Sequence, residues 1–259
     1  MNIAVRTPAQ SYHRRHDEGL DAQGRLDFHW IMTTPTDTGD GGLPRAVASY
    51  RQAYRRAHVG SGYRGWLHLG FTATVCIVVT GWCISQLRDI AALEWLAIPV
   101  TFLYANLVEY FGHRGPMHHP KPGLRLIFER HTRQHHRFFR DDAMAFDGPR
   151  DFKAVLFPPV LIVFYLVGFA APAGALVAWI FSTNVALLFM ITAVLYFLNY
   201  ELLHFAYHAP RHTWLARLPL MNRLRSLHTV HHRIDLMQRY NFNITYPIGD
   251  RLFGTLYRQ

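Results

Sequence analysis

Four long apolar runs, at 66–85, 90–111, 154–171 and 175–203, separate stretches rich in arginine and histidine. Each run is long enough to cross a hydrocarbon core of about 30 Å as a helix, the third only just. The links at 86–89 and 172–174 are very short, so the runs pair into two helical hairpins. The fourth run has 29 residues where about 20 suffice. Its last turns should leave the lipid and carry Glu201, His204 and His208 with them. The expected architecture is an all-α integral membrane protein, four transmembrane helices in two hairpins beneath a histidine-rich cap. It divides into a polar arm over 1–65 and a membrane-embedded domain over 66–259.

The arm has no sustained apolar period over 1–42, and no run long enough to act as a signal peptide is expected before Trp66. Residues 43–58 fit a short basic amphipathic helix at the membrane surface, or a solvated linker. Val47, Tyr50, Tyr54 and Ala57 lie on one side, Arg51, Arg55 and Arg56 on the other, and Pro44 is tolerated in the first turn. Gly60-Ser-Gly-Tyr-Arg-Gly65 matches the dinucleotide pattern GxGxxG. No strand precedes it and an apolar run follows, so the match is read as accidental.

Charge sets the orientation. Of 27 lysines and arginines, nine precede the first run, nine lie between His113 and Lys153, eight follow His204, and only Arg88 falls in a hairpin link. The positive-inside rule then puts both termini and the histidine-rich stretches on the cytoplasmic side. The same distribution accounts for the net charge of +10 without a nucleic-acid partner, for which no zinc-finger, helix-turn-helix or RNA-binding signature exists. Cys76 and Cys83 sit in one apolar run about two helical turns apart, too far for a disulfide along a helix, and are assigned to packing.

The candidate chemistry lies in the histidines. In 130–139, RHTRQHHRFF, the i, i+4 step aims His131 and His135 from one helix face, and His136 extends that face sideways. A near copy, His228, His231 and His232, follows about a hundred residues later. Each trio has an upstream companion, His113 and His118 for the first and His204 and His208 for the second. Gly115 and Pro116 should break the helix after His113 and swing His118 round. The apolar hairpin between the clusters returns the chain to the same side, so the two can close into one site. Ten imidazoles are too many for one tetrahedral zinc and enough for two ions with open positions.

Imidazole suits zinc, copper and iron alike. HExxH is absent, which removes zinc proteolysis, and no histidines face each other within the spans to hold a haem. Glu109 and Glu201 are expected to orient ligands by accepting an imidazole N–H. His119 and His212 are possible outer or substrate contacts, and His13, His16, His29, His58 and His68 are assigned no role.

These motifs resemble the membrane-bound fatty acid hydroxylase and sterol desaturase superfamily of histidine-rich di-metal oxygenases, over about 66–258. The family pattern HxxxxH, HxxHH, HxxxH, HxxHH is matched by His113 and His118; by His131, His135 and His136, with one extra intervening residue; by His204 and His208; and by His228, His231 and His232. The tail at 241–257 resembles the family's closing segment, with Asn241, Asp250 and Gly254 in matching places. EYFGHR, and AFDGPR leading to LFPPV with Asp147, Gly148, Pro158 and Pro159, resemble the fatty acid 2-hydroxylase branch. The resemblance implies two iron ions, with zinc possible in recombinant material, and dioxygen as co-substrate. It implies a lipid substrate and a separate electron donor of ferredoxin or cytochrome b5 type, since no fused haem module is visible. The alternatives are a sterol or carotenoid hydroxylase, a desaturase, or a metal-binding membrane protein without catalysis. A metal carrier would place polar groups along its path, and Asn106 and Asn184 are the main polar interruptions of the runs.

Overall fold

The computed structural model describes residues 43–257; the arm read at 1–42, with His13, His16 and His29, lies outside the described residues. Among the described residues the regular structure is helical, with no strand beyond one isolated bridge between Arg140 and Ala143. Among these residues three helical stretches are long and apolar enough to cross a membrane: Gly65–Gln86, Pro149–Ile180 and Thr183–His208.

The first helix, α1 (Arg45–His58), buries Val47, Arg51 and Tyr54. The expected polar side is therefore corrected at Arg51, which sits at i+4 from Val47 on the inward face. Its guanidinium lies over the Phe138 and Phe139 rings, 5.0 and 5.5 Å from their centroids, and α1 packs on the cap. Helix α2 (Gly65–Gln86) buries a stripe of His68, Thr72, Cys76, Thr80 and Cys83. Four of these five side chains are small, which lets a neighbouring helix approach closely, as membrane helices do. Both cysteines are free and buried. His68 bonds Tyr63 Oη at 2.7 Å and Phe157 O at 2.8 Å, tying the start of α2 to the cap.

Gly65, the last glycine of the GxGxxG match, has a packing role. A Cβ there would stand 2.0 Å from the Pro149 carbonyl oxygen and 2.7 Å from Phe152. Because the obstacle is backbone, Gly65→Ala is expected to destabilise the protein by about 1–3 kcal/mol, the cost of overpacking. A lower thermal midpoint in detergent would register it, and an unchanged midpoint would contradict this packing.

The second apolar run differs from expectation. It folds as a 3₁₀ turn, Ala92–Leu96, and then α3 (Ala97–Gly112) of 16 residues, which as an α-helix reaches about 24 Å, short of a full core. A π turn, His113–Met117, continues α3 with Pro116 inside it, so the chain widens where a break was expected. Helix α4 is built from Arg125–Phe128, a π segment Glu129–His135, and His136–Phe138.

The third run is divided. Ala154, Val155 and Leu156, from α5 (Phe152–Val155) and just beyond, are buried with Phe138, Phe139, Phe152 and Phe205 in the cap core. Helix α6 begins at Pro159, a residue suited to a first turn, and runs through Pro159–Tyr165, a π turn Leu166–Ala170 and Ala171–Ile180. The hairpin link expected at 172–174 is thus inside a helix. Pro172 falls where the preceding π turn has already loosened the backbone ladder. Gly174 lets the next helix close, since a Cβ there would lie 3.1 Å from Met190 Sδ. The actual turn is at Phe181 and Ser182, whose Oγ caps α7 (Thr183–His208) by accepting from Val185 N at 3.1 Å.

At the end of α7 remote from the histidines, Asn184 donates to Arg88 O at 2.7 Å and to Glu94 at 3.0 Å, and Ser182 donates to Glu94 at 2.5 Å. This knits the two hairpin ends. The other polar interruption, Asn106, donates to Tyr196 Oη at 2.9 Å and Tyr246 O at 2.8 Å and accepts from Gly249 N at 3.1 Å. It fastens the closing segment, which carries α9 (Ile248–Leu252), to α3. Helix α8 (Met221–His231) completes the cap.

Candidate metal centre

All ten histidines of the four motifs are buried at one end of the bundle, in two groups of five. His113, His118, His131, His136 and His231 form the first; His135, His204, His208, His228 and His232 form the second. Within each group one ring nitrogen per residue lies within 4.8 Å of all the others. The groups adjoin: the His136 and His232 rings stack at 4.3 Å, and the His131 and His135 rings at 5.3 Å.

Helix winding decides the membership. A π segment repeats about every five residues rather than four. His113 and His118 are five apart across one π turn, and His131 and His136 five apart across the other, so both pairs enter the first group. His204 and His208 are four apart on α7, His228 and His232 four apart across the end of α8, and both pairs enter the second. The remaining member of each trio crosses over, His231 to the first group and His135 to the second. The expected face shared by His131 and His135 therefore serves two different groups.

Outer hydrogen bonds aim the rings. In the first group His113 Nδ1 donates to Phe242 O at 2.5 Å, His231 Nδ1 to Tyr240 O at 3.0 Å, and His118 Nδ1 lies 3.3 Å from the Thr132 hydroxyl. In the second, Nδ1 of His135 donates to Ala154 O at 2.8 Å, of His208 to Met144 O at 2.8 Å, and of His232 to Phe139 O at 2.5 Å. A proton fixed on Nδ1 leaves a bare lone pair on Nε2. Burial lowers the pKa of the eight histidines outside α7, His135 to about 3 and His231 to about 4, so these imidazoles stay neutral.

The inward atoms are crowded. In the first group Nε2 of His113 and His131 are 2.8 Å apart, His118 and His231 3.0 Å, His131 and His136 3.1 Å. In the second, His204 and His135 are 3.1 Å apart, His208 and His228 3.0 Å, His135 and His232 3.2 Å. Lone pairs turned on one another at these distances repel unless a cation lies between them. A metal–imidazole bond of about 2.1 Å gives about 3.0 Å between nitrogens at right angles and about 3.4 Å at the tetrahedral angle. The observed spacings match the former. Five converging neutral donors are one more than a structural zinc site uses, so the residues fit a metal in each group.

The carboxylates expected to orient ligands are engaged elsewhere. Glu109 accepts from Thr245 N at 2.9 Å, Thr245 Oγ1 at 2.6 Å, Ile244 N and the Tyr196 hydroxyl, and so braces the segment next to Phe242. Glu201 accepts from Phe157 N at 3.3 Å, and its other oxygen is buried without a hydrogen-bond partner. Neither bonds a histidine. His119 is exposed, with Nδ1 bonded to Arg114 O at 2.9 Å, and His212 is exposed; neither joins a group. Asn241 holds a left-handed turn (φ 56°) between the two carbonyls that serve His231 and His113, donating to Leu227 O and accepting from Tyr257 N, both at 2.9 Å. Asp250 supports the same segment, accepting from Phe242 N at 2.9 Å and Asn243 N at 2.8 Å. The backbone acceptors of the imidazoles carry no side-chain signature; Thr132, between His131 and His135, was the one member of this layer that side-chain chemistry could have flagged.

Helical described residues, three apolar helices of membrane-crossing length among them and two buried pentads of histidine together define a membrane-associated protein with two groups suited to hold metal ions. A family model described as fatty acid hydroxylase matches residues 98–255, and the chain belongs to that family. The fold is similar to the solved structure of full-length scs7p, in which only the hydroxylase domain is visible. The TM-score is 0.51 at 20% identity, covering 90% of this chain and 72% of that one. No curated protein matches the chain.

Proposed function

We propose that the protein is a membrane-bound di-iron oxygenase that hydroxylates the acyl chain of a fatty acid or membrane lipid at or near carbon two. The observation that carries this reading is the pair of adjoining histidine pentads at the cap end of apolar helices. Iron held there supplies dioxygen activation. The net reaction inserts one oxygen atom into a C–H bond and releases the other as water, consuming two electrons and two protons, the electrons from a separate ferredoxin- or cytochrome b5-type donor. His113, His118, His131, His136 and His231 hold one ion; His135, His204, His208, His228 and His232 hold the other. Their burial keeps bulk water from the reacting centre, and the carbonyl acceptors on Nδ1 of His113, His135, His208, His231 and His232 keep the Nε2 atoms of those five inward.

In this reading α3 and its preceding 3₁₀ turn complete a four-helix membrane unit, residues 66–259 are the catalytic domain, and both termini and the histidine cap face the cytoplasm. The acyl chain lies along apolar helix faces while its head group waits at the interface, which favours oxidation near the head. The match to the fatty acid hydroxylase family model and the AFDGPR and LFPPV segments support an acyl substrate over a sterol. Expression in a host lacking hydroxylated lipids should yield acyl chains heavier by one oxygen, placed by fragmentation at or next to carbon two. Gain on sterols or carotenoids alone, or loss of two hydrogens without oxygen, would refute the substrate assignment.

Topology has its own test. With Cys76 and Cys83 replaced by alanine, single cysteines at Phe181 and Ser226, both exposed, should react with impermeant reagent from opposite sides of the membrane. Reaction of both from one side would rule out the arrangement.

A further inference from the structure

Two ligands of the second pentad take their outer hydrogen bonds from one irregular turn. His232 donates to Phe139 O and His208 to Met144 O, and Phe146 N returns a bond to His208 O at 2.9 Å. Apart from the Arg140–Ala143 bridge, this turn has no regular structure of its own to hold those two carbonyls in place.

The restraint comes from α1, which lies outside the stretch matched by the family model. Arg51 sends Nε to Phe138 O at 3.0 Å, Nη2 to Ala143 O at 2.6 Å and Nη1 to Asp147 Oδ1 at 3.1 Å. Each carbonyl it holds immediately precedes one that accepts from a ligand: 138 before 139, and 143 before 144. One planar guanidinium thus spans both arms of the turn, and its side chain is 1% exposed. Arg55 secures the far end by pairing with Asp147 and with Asp151 Oδ1 at 2.7 Å, while Asp147 N donates to Asp151 at 2.8 Å. The first pentad has a separate support, since Tyr240 O and Phe242 O lie on the segment held by Asn241 and Asp250.

We propose that Arg51 is a positioning residue for the second pentad, pinning the 138–147 turn so that Phe139 O and Met144 O stay aimed at His232 and His208. Its loss would leave two buried carbonyls unpaired and let the turn relax, and the two imidazoles would lose their fixed orientation. The inference rests on the reading that the pentads bind metal.

The test titrates full-length protein with zinc against a competing chelator in two backgrounds. His113→Ala with His131→Ala disables the first pentad; His204→Ala with His228→Ala disables the second. Arg51→Ala should weaken zinc binding at the second pentad by about tenfold or more, the usual cost of losing an outer partner, and leave the first pentad's affinity unchanged. Arg51→Lys, with one ammonium in place of a fork, should give an intermediate loss confined to the same pentad, and it decides the matter if Arg51→Ala cannot be recovered folded. Equal weakening in both backgrounds would reduce Arg51 to a general structural role, and no weakening in either would overturn the proposal. Zinc binding at neither pentad of the otherwise unaltered protein would defeat the metal reading itself, and the inference with it.

Discussion

His231→Ala is expected to empty the first pentad and His135→Ala the second, each dropping the metal content of the purified protein from about two ions toward one and abolishing turnover. The effect should exceed the roughly 10–100-fold loss that follows removal of an outer hydrogen-bond partner. These two residues are the informative pair because each is the member of its trio that crosses over: His231 Nε2 lies 3.0 Å from His118, and His135 Nε2 lies 3.1 Å from His204 and 3.2 Å from His232. Metal analysis of the two variants therefore reads the two groups separately. Zinc recovered after overexpression would not bear on the native metal, because imidazole-rich sites accept it readily. One ion in the unaltered protein with full activity would contradict the two-site assignment.

The ten histidines that converge in the cap were legible in the sequence because histidine at ligand spacing is rare and the four motifs repeat. Their partition was not. A 3.6-residue period pairs His131 with His135, whereas the π segment Glu129–His135 pairs His131 with His136 and sends His135 to the other group. A widened turn leaves no mark in hydrophobic periodicity. The same limit explains the hairpin end: Pro172 and Gly174 read as a link, yet a π turn absorbs the proline and Met190 packs against the glycine. Ser182, whose side chain caps α7, was the better signal. Arg51 was misplaced because arginine on an amphipathic helix is ordinarily solvated, and only the three acceptors offered by the 138–147 turn make its burial favourable. Glu109 was assigned to a ring by sequence proximity, but the backbone of Ile244 and Thr245 reaches it first.

Turnover should also vanish when the electron donor is withheld. No nucleotide, flavin or iron–sulfur motif accompanies the histidines, and the only GxGxxG match ends in a glycine closed against Pro149 and Phe152. NADPH alone should give no product, and adding an acidic ferredoxin or cytochrome with its reductase should restore it. Arg114, Lys121 and Arg125 are exposed on the stretch that carries His113 and His118, so charge steering should make the encounter salt-sensitive, with kcat/KM for the donor falling several-fold or more as ionic strength rises. Full turnover with NADPH and no added protein would contradict the separate-donor reading.

The central claim is that the paired histidine groups put an oxygen atom from dioxygen into a lipid acyl chain. Its most direct test is a reaction of purified, iron-loaded protein with donor, acyl lipid and ¹⁸O-labelled dioxygen, read by mass spectrometry of the lipid. The account predicts a product carrying a single ¹⁸O atom at or next to carbon two, absent with His135→Ala or His231→Ala. A product whose new oxygen comes from water, or one formed equally well by those variants, would contradict it.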